Sequence, residues 1–254
     1  MGRSKPLIDT YIIFKINVLS LRSALVPYLV ISLLIPLGFT YIISLASTYW
    51  SLEAKLNYLI GALTLSLALT TINGAAQTIA QDKHLGRLRL FSTLPISPIA
   101  YVVGVTASFF ISGLLSTVLI ALIGGYLWGL LSAFLDKLPT VIALELVSCV
   151  ALIGLGAIIG TRSRTLTHAY MYSNLLSMII AALTPAYYPP TMLPPVLRLV
   201  SLALPTTHAA CLIRAMLVPK EPLLLSPELH AIALAVTTFI YLVIGFKGIK
   251  WIED

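Results

Sequence analysis

Residues 57–98 read NYLIGALTLSLALTTINGAAQTIA followed by QDKHLGRLRLFSTLPISP. The first part, 57–80, contains no charged residue. It is long enough to cross the roughly 30 Å hydrocarbon core of a bilayer as a helix, which takes about 20 apolar residues. The second part, 81–98, is basic and rich in turn-forming residues, and another apolar run follows at 99–123. This alternation predicts two membrane-spanning helices joined by a short polar connection.

The composition of the whole chain also indicates a membrane protein. Of its 254 residues, 59% are hydrophobic and 10% are charged, whereas soluble domains carry about 25% charged residues. The formal net charge of +7 does not indicate a nucleic-acid partner. The basic residues lie at the ends of apolar runs, as membrane topology requires, rather than on one soluble face.

Six apolar stretches are long enough to span a bilayer, and runs of this length are helical rather than barrel strands. They are 25–46, 57–80, 99–123, 140–160, 168–187 and 229–246. We therefore predict an all-α integral membrane protein in which residues 1–254 form a single transmembrane domain with six membrane spans.

The orientation follows from the placement of lysine and arginine, which favour the cytoplasmic side. Most of the 16 basic residues fall on one side of the predicted bundle: Arg3, Lys5, Lys15, Arg22, Lys83, Arg87, Arg89, Arg162, Arg164, Lys247 and Lys250. The other side carries Lys55, Lys137, Arg198, Arg214 and Lys220. Both termini and the 81–98 connection are therefore expected in the cytoplasm, in a multi-pass protein of the cell membrane.

Two further segments flank the spans. Residues 7–22 repeat apolar side chains at helical spacing, which predicts an amphipathic helix lying in the membrane interface; the alternative is a frayed cytoplasmic leader. Residues 188–228 are rich in proline yet apolar between the prolines, as in VLRLVSLAL. This pattern predicts an external re-entrant helical hairpin between the fifth and sixth spans, with an ordinary solvated loop as the alternative.

Catalytic and metal-binding signatures are missing from the sequence. There is no GxxxxGK[ST] phosphate loop, no HExxH and no nucleophile elbow, so we expect a non-enzymatic chain that binds no cofactor or metal. Two cysteines, Cys149 and Cys211, are expected as buried small side chains. The four histidines are expected to be unconnected surface or interfacial residues: His84, His168, His208 and His230.

Glu145 is the clear acidic residue within the predicted spans. An intramembrane carboxylate is by default a candidate for function. A structural role is favoured here, in which Glu145 pairs with Arg214 or Arg198 of the re-entrant segment.

Neutral polar residues occur in the second and fifth predicted spans. Asn73 and Gln77 lie in the second, and Tyr172 and Asn174 lie in the fifth. Hydrogen bonding between helices is the ordinary role of such residues. The alternative is that they line a substrate path.

The segment QDKHLGRLRLFSTLPISPIAYVVG resembles the connection between the second and third spans of type-2 ATP-binding-cassette (ABC) exporter permeases. The residues in register with that family's pattern are Gly86, Leu88, Leu90, Phe91, Pro95, Ile96 and Ser97. Arg87, Arg89 and Leu94 depart from it. The later segment LPPVLRLVSLALPTTHAACLIRAML is similar to the family's external re-entrant pair through Leu193, Pro194, Pro205, Thr206 and Arg214, and departs from it at Leu204.

The resemblance implies one half of an ATP-driven exporter. Two such permeases, identical or homologous, form a dimer among membrane lipids, and separate ATPase subunits bind ATP and magnesium in the cytoplasm. Residues 81–94 become the coupling helix that seats in the ATPase, and the contacts are expected from His84, Leu85, Gly86, Arg87, Leu88, Arg89, Leu90, Phe91 and Pro95. The N-terminal helix becomes the connecting helix beside it.

Two other functions stay open at this point. One is a secondary carrier or channel that works without ATP, and the other is a membrane anchor or assembly factor that transports nothing. The substrate is not readable from the sequence, and lipids, amphiphilic drugs, glycans and small peptides all suit a lining of neutral polar and aromatic residues.

Overall fold

The computed structural model describes residues 6–46, 51–94, 96–218 and 222–248. Within these ranges the chain is mostly α-helical and forms no strand. One short 3-10 helix, Pro190–Met192, accompanies ten α-helices: α1 Pro6–Ala46, α2 Leu52–His84, α3 Arg87–Thr93, α4 Pro98–Leu127, α5 Leu131–Leu135, α6 Leu138–Arg162, α7 Leu166–Leu183, α8 Pro195–Ser201, α9 Pro205–Leu217 and α10 Pro227–Gly248.

Five of these helices, α2, α4, α6, α7 and α10, are long and apolar enough to cross a membrane. They overlap the second to sixth predicted spans, although α7 ends at Leu183, four residues before the predicted end of the fifth span, and they confirm an all-α, multi-pass membrane protein. Their ends carry the expected signals. Ser51 and Ser97 cap α2 and α4 by accepting hydrogen bonds from backbone N–H groups, and Thr165 caps α7 in the same way.

The first helix differs from the prediction. The sequence predicted an interfacial helix over 7–22 and a separate span over 25–46, but α1 runs unbroken for 41 residues. No glycine or proline stands between residues 22 and 25 to end a helix there. An interfacial position for 7–22 stays a prediction.

The packed face of the N-terminal half of α1 was also unexpected. Leu7 and Tyr11, which head the predicted apolar stripe, are exposed, whereas Ile13 and Asn17 are buried. Ile13 lies against Gly104 of α4, where a Cβ atom would stand 2.8 Å from the Ile13 Cβ. The bundle therefore packs against the face that carries Ile13 and Asn17, while Leu7 and Tyr11 remain exposed.

Helix α2 is the centre of the bundle. Every residue from Leu56 to Ile72 is buried. Gly156 and Gly160 of α6 allow close approach, because a Cβ atom at either position would lie 2.7 Å from a backbone carbonyl oxygen of α2. Small residues at such crossings let helix backbones meet in the membrane. The GxxxG spacing of 156–160 therefore marks the contact between α2 and α6.

Two short helices follow α7 in place of a solvated loop. Helices α8 and α9 meet at 97° across the break at 202–204, and each begins with proline at its first turn. Most of α9 is buried, whereas Val196 and Leu199 of α8 are exposed. A pair bent in this way occurs both in re-entrant segments and in broken spans, so the re-entrant hairpin and its position in the outer leaflet stay predictions.

Candidate functional site

The connection between α2 and α4 forms a tight turn and a short helix. Helix α2 ends at His84, and Gly86 then adopts a φ of 71° before α3 begins at Arg87. This left-handed conformation costs a residue with a Cβ atom about 1–2 kcal/mol. A Cβ atom at Gly86 would meet nothing within 4 Å. The backbone angle, rather than lack of space, therefore requires glycine here.

Helix α3 presents two different faces. Leu88 and Phe91 are buried in the main core cluster, beside residues of α2 and α4. Leu85, Leu90 and Leu94 are exposed, with Leu90 57% accessible. The apolar residues of this segment therefore serve two surfaces, one against the bundle and one away from it.

A buried carboxylate fastens α3 to its two neighbours, and we call this the Asp82 bracket. Asp82 of α2 is 5% exposed. Its Oδ1 atom accepts a hydrogen bond from Arg87 Nη1 at 3.1 Å, and its Oδ2 atom accepts one from the Tyr101 hydroxyl of α4 at 2.9 Å. The Phe91 ring of α3 packs 5.7 Å from the Tyr101 ring, centroid to centroid. The bracket therefore joins α2, α3 and α4 at the end of the bundle.

Lys83 connects the same turn to the second basic connection, 162–165. Its Nζ atom donates to the carbonyl oxygens of Thr161 at 2.9 Å and Ser163 at 3.4 Å, at the end of α6. The last carbonyls of a helix lack partners within the helix and carry partial negative charge, so they favour a cation. This contact joins the α2–α3 turn to α6.

The predicted coupling residues fall into three groups. His84, Leu85, Arg89 and Leu90 are exposed and available to a partner. Arg87 is half-exposed and paired with Asp82, and the remaining described residues, Gly86, Leu88 and Phe91, hold the segment in place. Pro95 lies outside the described residues.

Sequence reasoning did not assign a role to Asp82, Lys83 or Tyr101. Asp82 and Lys83 stand within the quoted basic stretch, but their partners lie at positions 101, 161 and 163. An acidic residue in the last turn of a span, where basic residues are favoured, was the available signal.

A cavity of about 900 Å³ opens between α1, α2, α7 and the segment after α7. Its lining is mostly apolar and includes Phe39, Leu65 and Met178. The polar residues that line it are fewer and include Glu53, Asn57, Asn174 and Tyr188. A pocket that is largely apolar with a few placed polar groups is typical of a small-molecule site.

The predicted substrate-path residues are only partly brought together. Asn73 Nδ2 donates to Asn174 Oδ1 at 2.8 Å, which joins α2 to α7. Asn174 lines the cavity, whereas Asn73 is not among the lining residues and contacts the cavity only through its hydrogen bond to Asn174. Gln77 and Tyr172 are absent from the lining, and Tyr172 lies on an exposed face of α7 near His168.

Arg214 has partners other than the predicted one. It is buried on α9 and donates from Nε to Asn57 Oδ1 at 2.9 Å. Its Nη2 atom donates to the carbonyl oxygens of Ala186 at 3.2 Å and Tyr188 at 3.1 Å. Arg214 therefore fixes the segment after α7, which lines the cavity, to α2 and α9.

The predicted Glu145–Arg214 pair is accordingly not formed. Glu145 is buried, and its Oε1 atom has no hydrogen-bond partner among the described residues. Arg198 is also engaged elsewhere, because its Nη2 atom donates to the carbonyl oxygens of Thr191 and Leu193. Backbone carbonyls after α7, which a sequence pattern does not reveal, replace the carboxylate as the arginine partners.

The prediction of four unconnected histidines was wrong for two of them. His84 and His168 are exposed, but His208 and His230 are buried and contact each other. The helices α9 and α10 pack together, and this contact brings residues 22 positions apart into one site. Cys149 and Cys211 are buried and free, as predicted.

Comparison with known proteins adds one match. The family model described as ABC-2 type transporter matches residues 11–218, from α1 to the end of α9. No curated protein matches the chain.

Proposed function

Because the chain belongs to the ABC-2 type transporter family, we propose that it is the membrane-spanning permease subunit of an ATP-driven exporter. Two permeases form the working dimer, and separate ATPase subunits dock on the cytoplasmic side at residues 81–94. ATP and magnesium bind to those partners, and this chain is not itself an enzyme. It is a multi-pass protein of the cell membrane with both termini in the cytoplasm.

The observation that carries this proposal is the two-faced helix α3. Its exposed side offers Leu90 and Arg89 to a partner, while Leu88 and Phe91 bury its other side in the bundle. In the Asp82 bracket, Arg87 at the start of α3 binds Asp82 of α2, and Asp82 in turn binds Tyr101 of α4. A short helix that is exposed outward and held firmly inward can pass a displacement from a docked protein into the spans.

The contacts define how such a displacement travels. When the ATPases close on ATP, α3 moves with them, and α2 and α4 follow because Asp82 and Tyr101 join all three helices. Lys83 carries the same motion to the end of α6 through the Thr161 and Ser163 carbonyls. Since α2 also packs along α7, the wall of the cavity moves as well.

The size and lining of the cavity support an amphiphilic substrate. A volume of about 900 Å³ with an apolar and aromatic lining fits an amphiphile of drug or lipid size. The second N–H of Asn174 Nδ2 can donate one hydrogen bond to a polar headgroup, and the Tyr188 hydroxyl oxygen, which donates to the Ala182 carbonyl, can accept one. The substrate is thus a lipid, an amphiphilic drug or a glycan-linked lipid, taken from the cytoplasm or the inner leaflet.

A charge reversal on α3 tests the proposal. We expect Arg89→Glu to lower ATP-driven transport at least about fivefold in proteoliposomes that contain the permease and its ATPase, because a reversed charge opposes a complementary surface. Arg164→Glu is the matched control, since Arg164 is an exposed arginine on the 162–165 connection. Arg87 is less suitable, because its reversal also breaks the pair with Asp82.

Full transport by Arg89→Glu together with Leu90→Asp would refute the docking role of α3. The two substitutions replace exposed side chains, so the fold does not depend on them. Binding of the ATPase to the variant, measured by co-purification, separates lost docking from lost transmission.

One observation favours the second candidate, an ATP-independent carrier or channel. Glu145 is a buried carboxylate on α6 whose Oε1 atom lacks a hydrogen-bond partner among the described residues, and such groups mark ion or proton paths in carriers. This candidate requires ion-gradient-driven flux from the permease alone in liposomes. It also requires that Glu145→Gln abolish that flux.

A further inference from the structure

His208 and His230 form a buried contact that fastens the α8–α9 hairpin to the first turn of α10. Their Nδ1 atoms lie 2.9 Å apart, and both side chains are almost fully buried, with 1% and 0% exposure. The remaining ring nitrogens bind the backbone on either side. His208 Nε2 lies 3.0 Å from the Leu202 carbonyl oxygen, and the Leu225 N–H lies 3.2 Å from His230 Nε2.

These backbone groups fix the tautomer of each ring. A carbonyl oxygen only accepts, so His208 Nε2 carries a proton and donates to Leu202. A backbone N–H only donates, so His230 Nε2 is unprotonated and accepts from Leu225. A neutral imidazole has one N–H. His230 therefore carries its proton on Nδ1 and donates it to the bare Nδ1 atom of His208.

All four ring nitrogens are satisfied only while both rings are neutral. A proton added to His230 Nε2 would face the Leu225 N–H, and one added to His208 Nδ1 would face the proton of His230 Nδ1. Either event replaces a hydrogen bond with two opposed donors in a buried site, and burying a charge without a partner is costly. The pair therefore takes up no proton without losing a hydrogen bond, either the one from the Leu225 N–H or the one between the two rings.

Other ionisable groups stand on the elements around the pair. They include Arg198 on α8, Cys211 and Arg214 on α9, Glu145 and Cys149 on α6 with Lys137 at its N-cap, Lys55 and Tyr58 on α2, and Glu228 on α10. Among the described residues, no side chain other than the partner imidazole hydrogen-bonds either ring. Lys220 and Glu221 of the α9–α10 connection lie outside the described residues.

We propose that His208 and His230 form a proton-sensitive latch, which holds the α8–α9 pair on α10 most firmly while both rings are neutral and loosens when the buried pair takes up a proton. The hairpin carries Arg214, whose bonds to Ala186 and Tyr188 hold the cavity wall. Acid on the hairpin's side of the membrane therefore loosens that wall. The latch does not depend on an ATPase partner, so it stands apart from the proposed transport cycle.

The direction of the pH dependence follows from linkage. The released state binds more protons than the latched state, so the latch is strongest at high pH and weakens as the pH falls below the ordinary histidine pKa of about 6.5. At about pH 5, one imidazole that titrates only in the released state raises the ratio of released to latched molecules about 30-fold.

Hydrogen–deuterium exchange of the full chain in lipid nanodiscs tests the latch. After correction for the intrinsic pH dependence of amide exchange, we expect exchange in residues 202–207 and 223–230 to rise at least about tenfold between about pH 8 and about pH 5. The core of α2 should not change. The double variant His208→Gln/His230→Gln should lose the pH step, and the control His84→Gln/His168→Gln, with two exposed histidines replaced, should keep it.

A wild-type protein without the pH step, or a step that persists in the His208→Gln/His230→Gln variant, would overturn the proposal. Nitrogen-15 spectra of labelled histidine provide a test that needs no variant. We expect one buried ring in the Nδ1–H form and one in the Nε2–H form at about pH 8. Two Nε2–H rings would contradict the hydrogen-bond chain on which the latch rests.

Discussion

Tyr101→Phe removes one hydroxyl group from the Asp82 bracket and leaves the aromatic ring in place. The lost hydrogen bond runs from the Tyr101 hydroxyl to Asp82 Oδ2 at 2.9 Å, and both residues are buried. The ring contact with Phe91 can remain, since the phenylalanine ring has the same shape. The variant therefore tests the polar link between α2 and α4 with little change in packing.

The expected loss is about 1.5–3 kcal/mol, the usual contribution of a hydrogen bond to a charged group. The remaining Arg87–Asp82 ion pair compensates for little of this loss. Arg87 still binds Asp82 Oδ1, but its side chain is 45% exposed, and exposed ion pairs contribute about 0–1 kcal/mol. A loss of about 1.5–3 kcal/mol shifts the population in which α4 is separated from Asp82 of α2 by about 10- to 150-fold.

The assay is the number of substrate molecules exported per ATP hydrolysed by the permease and its ATPase in proteoliposomes. We expect Tyr101→Phe to lower this ratio while ATP hydrolysis continues, because the docking face of α3 is unchanged but its hold on α4 is weakened. Tyr126→Phe is the matched control, since the Tyr126 side chain is 78% exposed. An unchanged transport ratio and an unchanged melting temperature in Tyr101→Phe would refute the role assigned to the bracket.

Three further predictions concern the glycines and the cavity. Gly156→Ala should destabilise the purified protein by about 1–3 kcal/mol, because its Cβ atom would lie 2.7 Å from an α2 carbonyl oxygen, whereas Gly113→Ala, with its nearest contact at 3.7 Å, should leave the melting temperature unchanged or raise it. Gly86→Ala should cost about 1–2 kcal/mol and reduce coupled transport, while Gly38→Ala, which meets nothing within 4 Å, should do neither. Asn174→Leu should raise the substrate concentration that half-stimulates ATP hydrolysis, and an unchanged concentration would exclude this residue from the substrate site.

The membrane spans were readable from the sequence because crossing a bilayer imposes a minimum apolar length on each helix. The second to sixth spans lie where the apolar runs placed them. The unbroken α1 was missed because a change from an amphipathic to an apolar pattern does not stop a helix. Glycine or proline usually ends a helix, and neither stands at the predicted boundary between residues 22 and 25.

The candidate site was predictable in position but not in detail. The basic stretch 81–98 was correctly read as a connection between two spans, and its mixed apolar pattern has a physical explanation in the two faces of α3. The partners of Asp82, Arg214 and His208 could not be read, because each lies on another helix or on a backbone carbonyl. Composition does not encode which side chains of a packed bundle meet.

The central claim is that α3 lies in the cytoplasm and seats in an ATPase, and thiol labelling of Leu90→Cys tests it most directly. Position 90 is exposed, and both native cysteines are buried, so a membrane-impermeant maleimide should report this site alone. We expect labelling only from the cytoplasmic side, and protection from it once the ATPase is bound. Labelling from the outer side, or labelling at the same rate with and without the bound ATPase, would contradict the account.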